Sequence, residues 1–231
     1  YTHSGAMIAS DLTALIAYTK EYFVVPEGNI VRLTPYKVRV YDMELNRVEP
    51  DMMEVNWNVD AAMKNGFPHF MLKEIHEQPK AVQDTLGSVI KNNCIDLSSV
   101  EITEEEIRKF EQIYIVACGS AWHVGMAAQY VIEDLVDVPV RVELASEFRY
   151  RDPFVDENTL LILVSQSGET ADSRQVLVKA NELGIPSLTV TNVPGSTLSR
   201  EADHTMLLHA GPEIAVASTK AYTAQIAALA F

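Results

Sequence analysis

Cysteine is scarce in this 231-residue sequence, which contains only Cys94 and Cys118. Their wide separation fits no CxxC metal or redox motif, and two cysteines cannot build a disulfide framework. Unpaired cysteines are typical of proteins kept in a reducing compartment. We therefore expect a cytoplasmic protein.

Positive charge is also in short supply. Lys and Arg number 18 against 32 Asp and Glu, which gives a formal net charge of −14. Nucleic acids and anionic membrane surfaces need clustered positive charge, so we expect neither as a partner. A single phosphate group is still allowed, because local dipoles rather than net charge hold it.

Long hydrophobic runs and several catalytic motifs are missing as well. No apolar stretch approaches the roughly 18 to 20 residues of a membrane span, and we expect no signal peptide. The chain has no GxGxxG loop, no GxxxxGK[ST] loop and no GxSxG elbow. Its six histidines show no HExxH spacing. We therefore expect no cofactor and no metal.

The amino-terminal part combines one helical and two β-rich patterns. Residues 8–22 have an apolar stripe at helical spacing and predict a helix. Residues 29–33 and 37–42 flank a Thr-Pro turn and predict a hairpin. Residues 44–68 are polar, and we interpret them as an irregular linker. Together these residues predict a partial α+β segment.

A second helical pattern follows at 69–90 and contains Pro79. Proline lacks a donor and clashes with the preceding turn, so it predicts a kink or a restart of the helix. Thr103 and Glu106 fit a capping box at the start of a short helix over 104–112.

From residue 113 onward, apolar strands alternate with amphipathic helices. This order predicts a parallel sheet covered on both faces, that is, an α/β three-layer αβα sandwich of the flavodoxin-like kind. The predicted strands are 113–118, 138–144, 159–165, 185–192 and 204–210. The predicted helices are 120–136 and 169–184, with a further one from 217.

Polar clusters follow three of these strands, at 118–123, 165–170 and 213–220. Ligands of open parallel sheets bind beyond the carboxyl ends of the strands. In the second cluster, Ser165, Ser167 and Thr170 surround the start of a helix, and Gly168 allows an anion to approach closely. Simple capping of the helix by these hydroxyls explains the cluster equally well. The presence of three such clusters on one edge favours a ligand, such as a phosphate or a polyhydroxy compound.

Cys118 lies at a strand-to-helix junction, where a helix dipole lowers the pKa of a thiol. A free cysteine is more often a small buried hydrophobic residue, and we favour this structural role over a reactive one.

The three clusters, in this order, resemble the sugar isomerase (SIS) domain, and SQSGETADS at 165–173 is a close match to its phosphosugar loop. Other stretches are similar to the glutamine–fructose-6-phosphate aminotransferase (isomerising) family, also called glucosamine-6-phosphate synthase. They are IASD at 8–11, HFMLKEIHEQPKAVQDTL at 69–86 and IVACGSAWH at 115–123.

The resemblance implies a domain division and a binding site. Residues 8–58 would form the tail of a glutaminase domain, 59–112 a linker with leading helices, and 113–231 a truncated first SIS domain. Many family members have Ser where this chain has Ala121, so that hydroxyl is missing. The implied contacts to the sugar phosphate are Cys118, Gly119, Ser120, Ser165, Gln166, Ser167, Thr170, Val216 and Ser218.

The resemblance also implies an activity for the parent protein. It would make glucosamine 6-phosphate from fructose 6-phosphate and glutamine, as a homodimer through its SIS region. The glutaminase cysteine and the isomerase catalytic residues map onto no residue here, so we expect this piece to bind without turnover. Two alternatives stay open: a phosphosugar-sensing SIS module, and another SIS isomerase or deglycase.

Overall fold

The structure is a computed structural model that describes residues 5–9, 15, 18–54 and 63–230. The chain divides into two compact units, Tyr1–Gly66 and Phe67–Phe231. Within the described part of the chain, no helix combines the length and the apolar character that a membrane crossing requires.

The first unit contains two small antiparallel sheets. The predicted hairpin is confirmed: β2 (Ile30–Thr34) pairs with β3 (Lys37–Tyr41), and β4 (Arg47–Val48) extends this sheet. A second pair joins β1 (Glu21–Tyr22) to β5 (Met53–Glu54).

Two predictions for the first unit are wrong in part. The end of the predicted helix at 8–22 is strand β1, while much of its remainder lies outside the described residues. The segment predicted to be irregular, 44–68, contains β4 and β5. Strands of two residues carry no periodicity, so hydrophobic pattern could not reveal them.

The second unit begins with α1 (Phe70–Val89), which contains Pro79 and continues through it as a single helix. The predicted restart is therefore wrong. Pro79 has no N–H for the carbonyl of Ile75, but the side-chain amide of Gln78 donates to that carbonyl at 2.9 Å. This bond supplies the acceptor with a partner, which reduces the disturbance that proline causes in a helix.

A short hairpin and a short helix connect α1 to the main sheet. Strands β6 (Ile90–Lys91) and β7 (Cys94–Ile95) pair around Asn92 and Asn93, whose φ angles of 53° and 60° fit a two-residue hairpin turn. Helix α2 (Glu104–Ile107) has the predicted capping box between Thr103 and Glu106, although it is shorter than predicted.

Five parallel strands form the main sheet, in the order β12-β11-β10-β8-β9. The chain first builds outward from β8 to β9, and then returns to the other side of β8 to add β10, β11 and β12. The direction of winding therefore reverses between β8 and β10. The strands are β8 (Gln112–Ala117), β9 (Val140–Leu144), β10 (Thr159–Ser165), β11 (Ser187–Thr191) and β12 (His204–Leu207).

Helices cover both faces of this sheet, which confirms the three-layer prediction. Alternate residues of β8 and β10 point to opposite faces and enter two separate hydrophobic clusters. One cluster includes residues of α1, α3 (Gly119–Val136) and α7 (Lys220–Leu229). The other includes residues of α4 (Ala145–Phe148), α5 (Ala171–Leu183) and α6 (Thr197–Glu201). Helices α4 and α6 were not predicted, because four and five residues are too few for a helical period to show.

Gly125 allows α3 to lie close to the sheet. A Cβ added there would lie 2.9 Å from Cγ2 of Ile115 on β8 and 2.9 Å from Cγ1 of Val142 on β9. Both neighbours belong to, or pack against, the hydrophobic core. The helix that begins at Gly119 is therefore set at a fixed height above β8.

We expect Gly125→Ala to lower the free energy of unfolding by about 1–3 kcal/mol, because the added methyl group overpacks the interface between helix and sheet. The matched control is Gly87→Ala on α1, where an added Cβ meets nothing within 4 Å. This control should raise stability by about 0.5–1 kcal/mol through helix propensity. Urea unfolding followed by circular dichroism measures both, and an equal effect of the two substitutions would contradict the close packing.

Candidate functional site

The candidate site lies at the carboxyl ends of β8 and β10, where the winding direction reverses. Ala117 of β8 pairs with Val164 of β10, so the next residues, Cys118 and Ser165, begin neighbouring loops. Adjacent strands lie about 4.8 Å apart. The first two predicted clusters therefore meet at the crevice where open α/β sheets bind ligands.

The hydroxyl groups of the second cluster shape their own loop. Ser165 Oγ lies 2.9 Å from Thr170 Oγ1 and accepts from the Gly168 amide at 3.0 Å. Ser167 Oγ accepts from the Glu169 amide at 3.2 Å. Thr170 is the N-cap residue of α5, and its side chain makes no capping hydrogen bond. Simple capping is therefore not what these hydroxyls do.

The amino end of α5 consequently presents its first turn without a side-chain cap. Helix amino ends carry N–H groups that lack intrahelical partners and a partial positive charge. Together with the hydroxyls of Ser165, Ser167 and Thr170, this arrangement suits an anion with several acceptor oxygens, such as phosphate.

Residues 191–197 pack against the second loop and hydrogen-bond to it. Gly168 has a φ of 67°, and an added Cβ would overlap the hydroxyl of Ser196 and lie 2.9 Å from Oγ1 of Thr191. The carboxylate of Glu169 accepts from the amide of Thr197 at 2.8 Å and from its hydroxyl at 2.7 Å. The loop is thus clamped on two sides, and only glycine fits at its centre.

In the first cluster, Cys118 is the N-cap residue of α3 and again provides no side-chain capping bond. Gly119, with a φ of 57°, and Ser120 are both exposed at the rim. The thiol of Cys118 is half-buried, and this burial, together with the charge of Asp172, raises its pKa above the usual value. A raised thiol pKa opposes nucleophilic reactivity, which favours a structural role for Cys118 over a reactive one.

In the third cluster, Val216 is fully exposed and Ser218 is partly buried. The hydroxyl of Ser218 donates to Glu213 Oε2 at 2.8 Å. Glu213 Oε1 accepts from the amides of Thr219 at 2.7 Å and Ala221 at 3.2 Å, at the start of α7. A carboxylate of the chain itself therefore already accepts from the amides at the start of α7.

The third cluster is linked to the same rim through Asn192, which follows β11. Asn192 donates to the carbonyl of Gly211 at 2.7 Å and accepts from the amide of Ala210 at 3.1 Å. No hydrogen bond recorded for residues 63–230 joins the third cluster directly to the other two. The structure thus brings the first two clusters together at one crevice, and Asn192 holds residues 210 and 211, which lead into the third cluster.

Sequence reasoning missed the residues that support the loops, among them Asn192, Ser196 and Thr197. Asn192 is the last residue of the predicted strand 185–192, and the structure ends β11 at Thr191, so the rule that located the other clusters could have found it. Ser196 and Thr197 carry no such signal, because their contacts with Gly168 and Glu169 join segments that are distant in sequence.

Comparisons with known proteins agree with this geometry. The family model described as the SIS domain matches residues 106–231. The chain is 47% identical over 96% of its length to a glutamine–fructose-6-phosphate aminotransferase (isomerising) from Clostridium tetani. It is 49% identical over 97% of its length to the protein of the same name from Streptococcus pyogenes serotype M6. The chain spans 37% of the length of each of these relatives.

A solved structure is also similar. It is the C-terminal domain of a glucosamine-fructose-6-phosphate aminotransferase from Francisella tularensis, with a TM-score of 0.68 and 46% identity. The match covers 73% of this chain and 47% of that one.

We expect Gly168→Ala to destabilise the chain more than Gly184→Ala. Both glycines have positive φ angles, but a Cβ at Gly184 meets nothing within 4 Å. Gly184→Ala should cost about 1 kcal/mol for the left-handed backbone, and Gly168→Ala about 1–3 kcal/mol beyond that for the overlap with Ser196. Urea unfolding compares them. The double variant Gly168→Ala/Ser196→Gly should recover part of the loss, and equal losses in the two single variants would contradict the clamp.

We expect iodoacetamide at pH 8 to modify Cys118 more slowly than the exposed Cys94. Burial shields the Cys118 thiol and raises its pKa, so the thiolate fraction at a given pH is smaller. Peptide mass spectrometry of timed samples measures both sites, and the chain unfolded in urea serves as the control in which this difference disappears. Faster modification of Cys118 would indicate an activated nucleophile instead of a structural residue.

Proposed function

The chain belongs to the SIS domain family, and from that premise we propose that it is the phosphosugar-binding part of a glutamine–fructose-6-phosphate aminotransferase (isomerising). The observation that carries the proposal is the amino end of α5, which has no side-chain cap and is surrounded by the hydroxyl-rich loop at the reversal point of the sheet. Polar groups that converge at such a crevice are the expected setting for a phosphorylated ligand.

In this proposal the phosphate lies against the second loop. The hydroxyl of Ser167 and one hydroxyl of the hydrogen-bonded pair Ser165 and Thr170 donate to its oxygens, and the amides at the start of α5 add further donors and a favourable dipole. Ser165 is buried, whereas Ser167 and Thr170 are partly exposed at the rim. Gln166 lies between Ser165 and Ser167, and its backbone carbonyl accepts from the Asn192 amide at 3.1 Å. In the proposal its side chain also contacts the ligand.

The sugar then extends toward the first and third loops. Gly119 and Ser120 are exposed beside Cys118 in the first turn of α3, and they offer N–H groups without intrahelical partners to sugar hydroxyls. Val216 and Ser218 bound the sugar on the remaining side. The chain's net charge of −14 does not oppose this binding, because the contacts are local dipoles within hydrogen-bonding distance.

The whole protein would convert fructose 6-phosphate and glutamine into glucosamine 6-phosphate and glutamate, as a cytoplasmic homodimer. The present chain contributes the phosphosugar site to that reaction. Because the glutaminase cysteine and the isomerase catalytic residues of the family map onto no residue here, the chain binds the sugar phosphate and does not turn it over.

We expect Ser167→Ala to weaken binding of fructose 6-phosphate to the 231-residue chain. The substitution removes one charge-assisted hydrogen bond, worth about 1.5–3 kcal/mol, which corresponds to roughly ten- to hundredfold in Kd. Isothermal titration calorimetry measures the change. Ser88→Ala is the matched control, because Ser88 lies on α1 and its hydroxyl bonds only to the carbonyl of Thr85 at 2.7 Å.

A further titration and an activity assay test the proposal itself. Fructose without a phosphate should bind far more weakly than fructose 6-phosphate, and a mixture of fructose 6-phosphate and ammonia should yield no glucosamine 6-phosphate. Failure of the folded chain to bind fructose 6-phosphate would overturn the proposal. Formation of product would show that the chain holds catalytic groups and would favour an isomerase that acts by itself.

A further inference from the structure

The segment FMLKEIHEQP at 70–79 forms the first half of α1, and it contains charged residues that are almost completely buried. Lys73 is 2% exposed and Glu74 is 1% exposed. From their contacts we infer that Glu74 is a positioning residue, which with Lys73, Glu77 and Lys220 fixes the loop at 213–220 in the place where it meets the sugar. This inference rests on the proposed function and assigns a role in it to α1.

Glu74 holds the near end of the loop. Its Oε1 atom accepts from the amide of Ile214 at 2.6 Å and from the amide of Ala215 at 3.0 Å. These two amides belong to a stretch without helix or strand, so they receive no partner from regular secondary structure. The residue that follows them is Val216, one of the predicted contacts to the sugar.

Glu77 holds the far end of the loop. Its carboxylate accepts from Lys220 Nζ at 2.8 Å and from Lys73 Nζ at 3.2 Å. Lys220 is the last residue of the loop and the first residue of α7. Although partial burial opposes ionisation, the hydrogen bonds and charges of Lys220 and Lys73 lower the pKa of Glu77 below its usual value, which favours its ionised form.

The two anchors act from one rigid surface. Glu74 and Glu77 are three residues apart on a helix and therefore face the same side. Between the anchored residues Ala215 and Lys220 lie only four residues, 216–219, and these include Val216 and Ser218. A segment this short, held at both ends, has few conformations left, so α1 fixes where the backbone of Val216 lies, while Glu213, within the same loop, accepts from the hydroxyl of Ser218.

The chemistry of the interface supports a positioning role over mere adhesion. Buried ion pairs lose much of their attraction to desolvation, and apolar residues of similar size often pack at least as stably. Elsewhere α1 and α7 bury small apolar residues, among them Ala81, Ala221, Ala224 and Ala228, and the neutral polar residues Thr85 and Gln225. Four charged groups at one end of that interface contribute directional contacts that apolar packing does not provide.

The test uses the 231-residue chain and three variants. Glu74→Ala removes the acceptor of both loop amides, whereas Glu74→Gln keeps one side-chain oxygen of the same reach. Asp84→Ala is the matched control. It removes a carboxylate from the same helix, but this carboxylate pairs with Lys80 at the surface. Each protein is titrated with fructose 6-phosphate, and its amide hydrogen exchange is read by mass spectrometry or NMR.

In the wild-type chain we expect the amides of Ile214 and Ala215 to exchange more slowly than those of the exposed neighbours Val216 and Ala217. Glu74→Ala should abolish that protection and weaken binding by about tenfold or more, because two buried donors lose their acceptor. Glu74→Gln should retain affinity within about threefold, and Asp84→Ala should change neither readout. Exchange in β8 and β10 should be the same in all four proteins.

The outcomes separate this inference from the proposed function. If the wild-type chain does not bind fructose 6-phosphate, the proposed function fails. If the wild type binds, and Glu74→Ala loses protection at Ile214 and Ala215 while keeping its affinity, the positioning role is wrong. If Glu74→Ala does not fold, the inference is tested by the exchange of the Ile214 and Ala215 amides in the wild type and by the affinity of Glu74→Gln for fructose 6-phosphate. Unprotected loop amides in the wild type, or a loss of affinity in Glu74→Gln equal to that expected for Glu74→Ala, would overturn the inference.

Discussion

The parallel pairing of β8 with β10 is the constraint on which the rest of the second unit depends. Strand β9 separates these strands along the chain, and the direction of winding reverses between them. They nevertheless lie side by side within the sheet. Their pairing sends α3 to one face and α5 to the other, and the amino ends of both helices remain at one rim. The crevice between the two loops is a direct result of this topology.

Around that crevice, carboxylates of the chain take up backbone N–H groups that the loops would otherwise leave without partners. Glu169 accepts from Thr197, Glu213 accepts at the start of α7, and Glu74 accepts from Ile214 and Ala215. Buried backbone donors need such partners. The first turn of α5, like that of α3, receives no side-chain cap, and both helix starts lie at this crevice.

The elements that sequence pattern predicted well are long or strongly apolar. The strands at 113–118 and 159–165 and the helices that follow them were recognisable because each buries a continuous face. The short strands β4 and β5 and the short helices α4 and α6 were missed, since a few residues contain no period. Pro79 was misinterpreted, because its local effect depends on Gln78, whose side-chain contact no periodicity reveals.

The sequence by itself determined the fold class of the second unit, the order of its strands along the chain and the three polar clusters that follow them. These features depend on residue type and local spacing, which a linear pattern carries. Only the tertiary structure decided that the hydroxyls of residues 165–170 support one another and leave the start of α5 without a side-chain cap. Only it showed that Glu74 on α1 reaches amides near residue 214, because such contacts join segments whose separation in sequence hides their proximity in space.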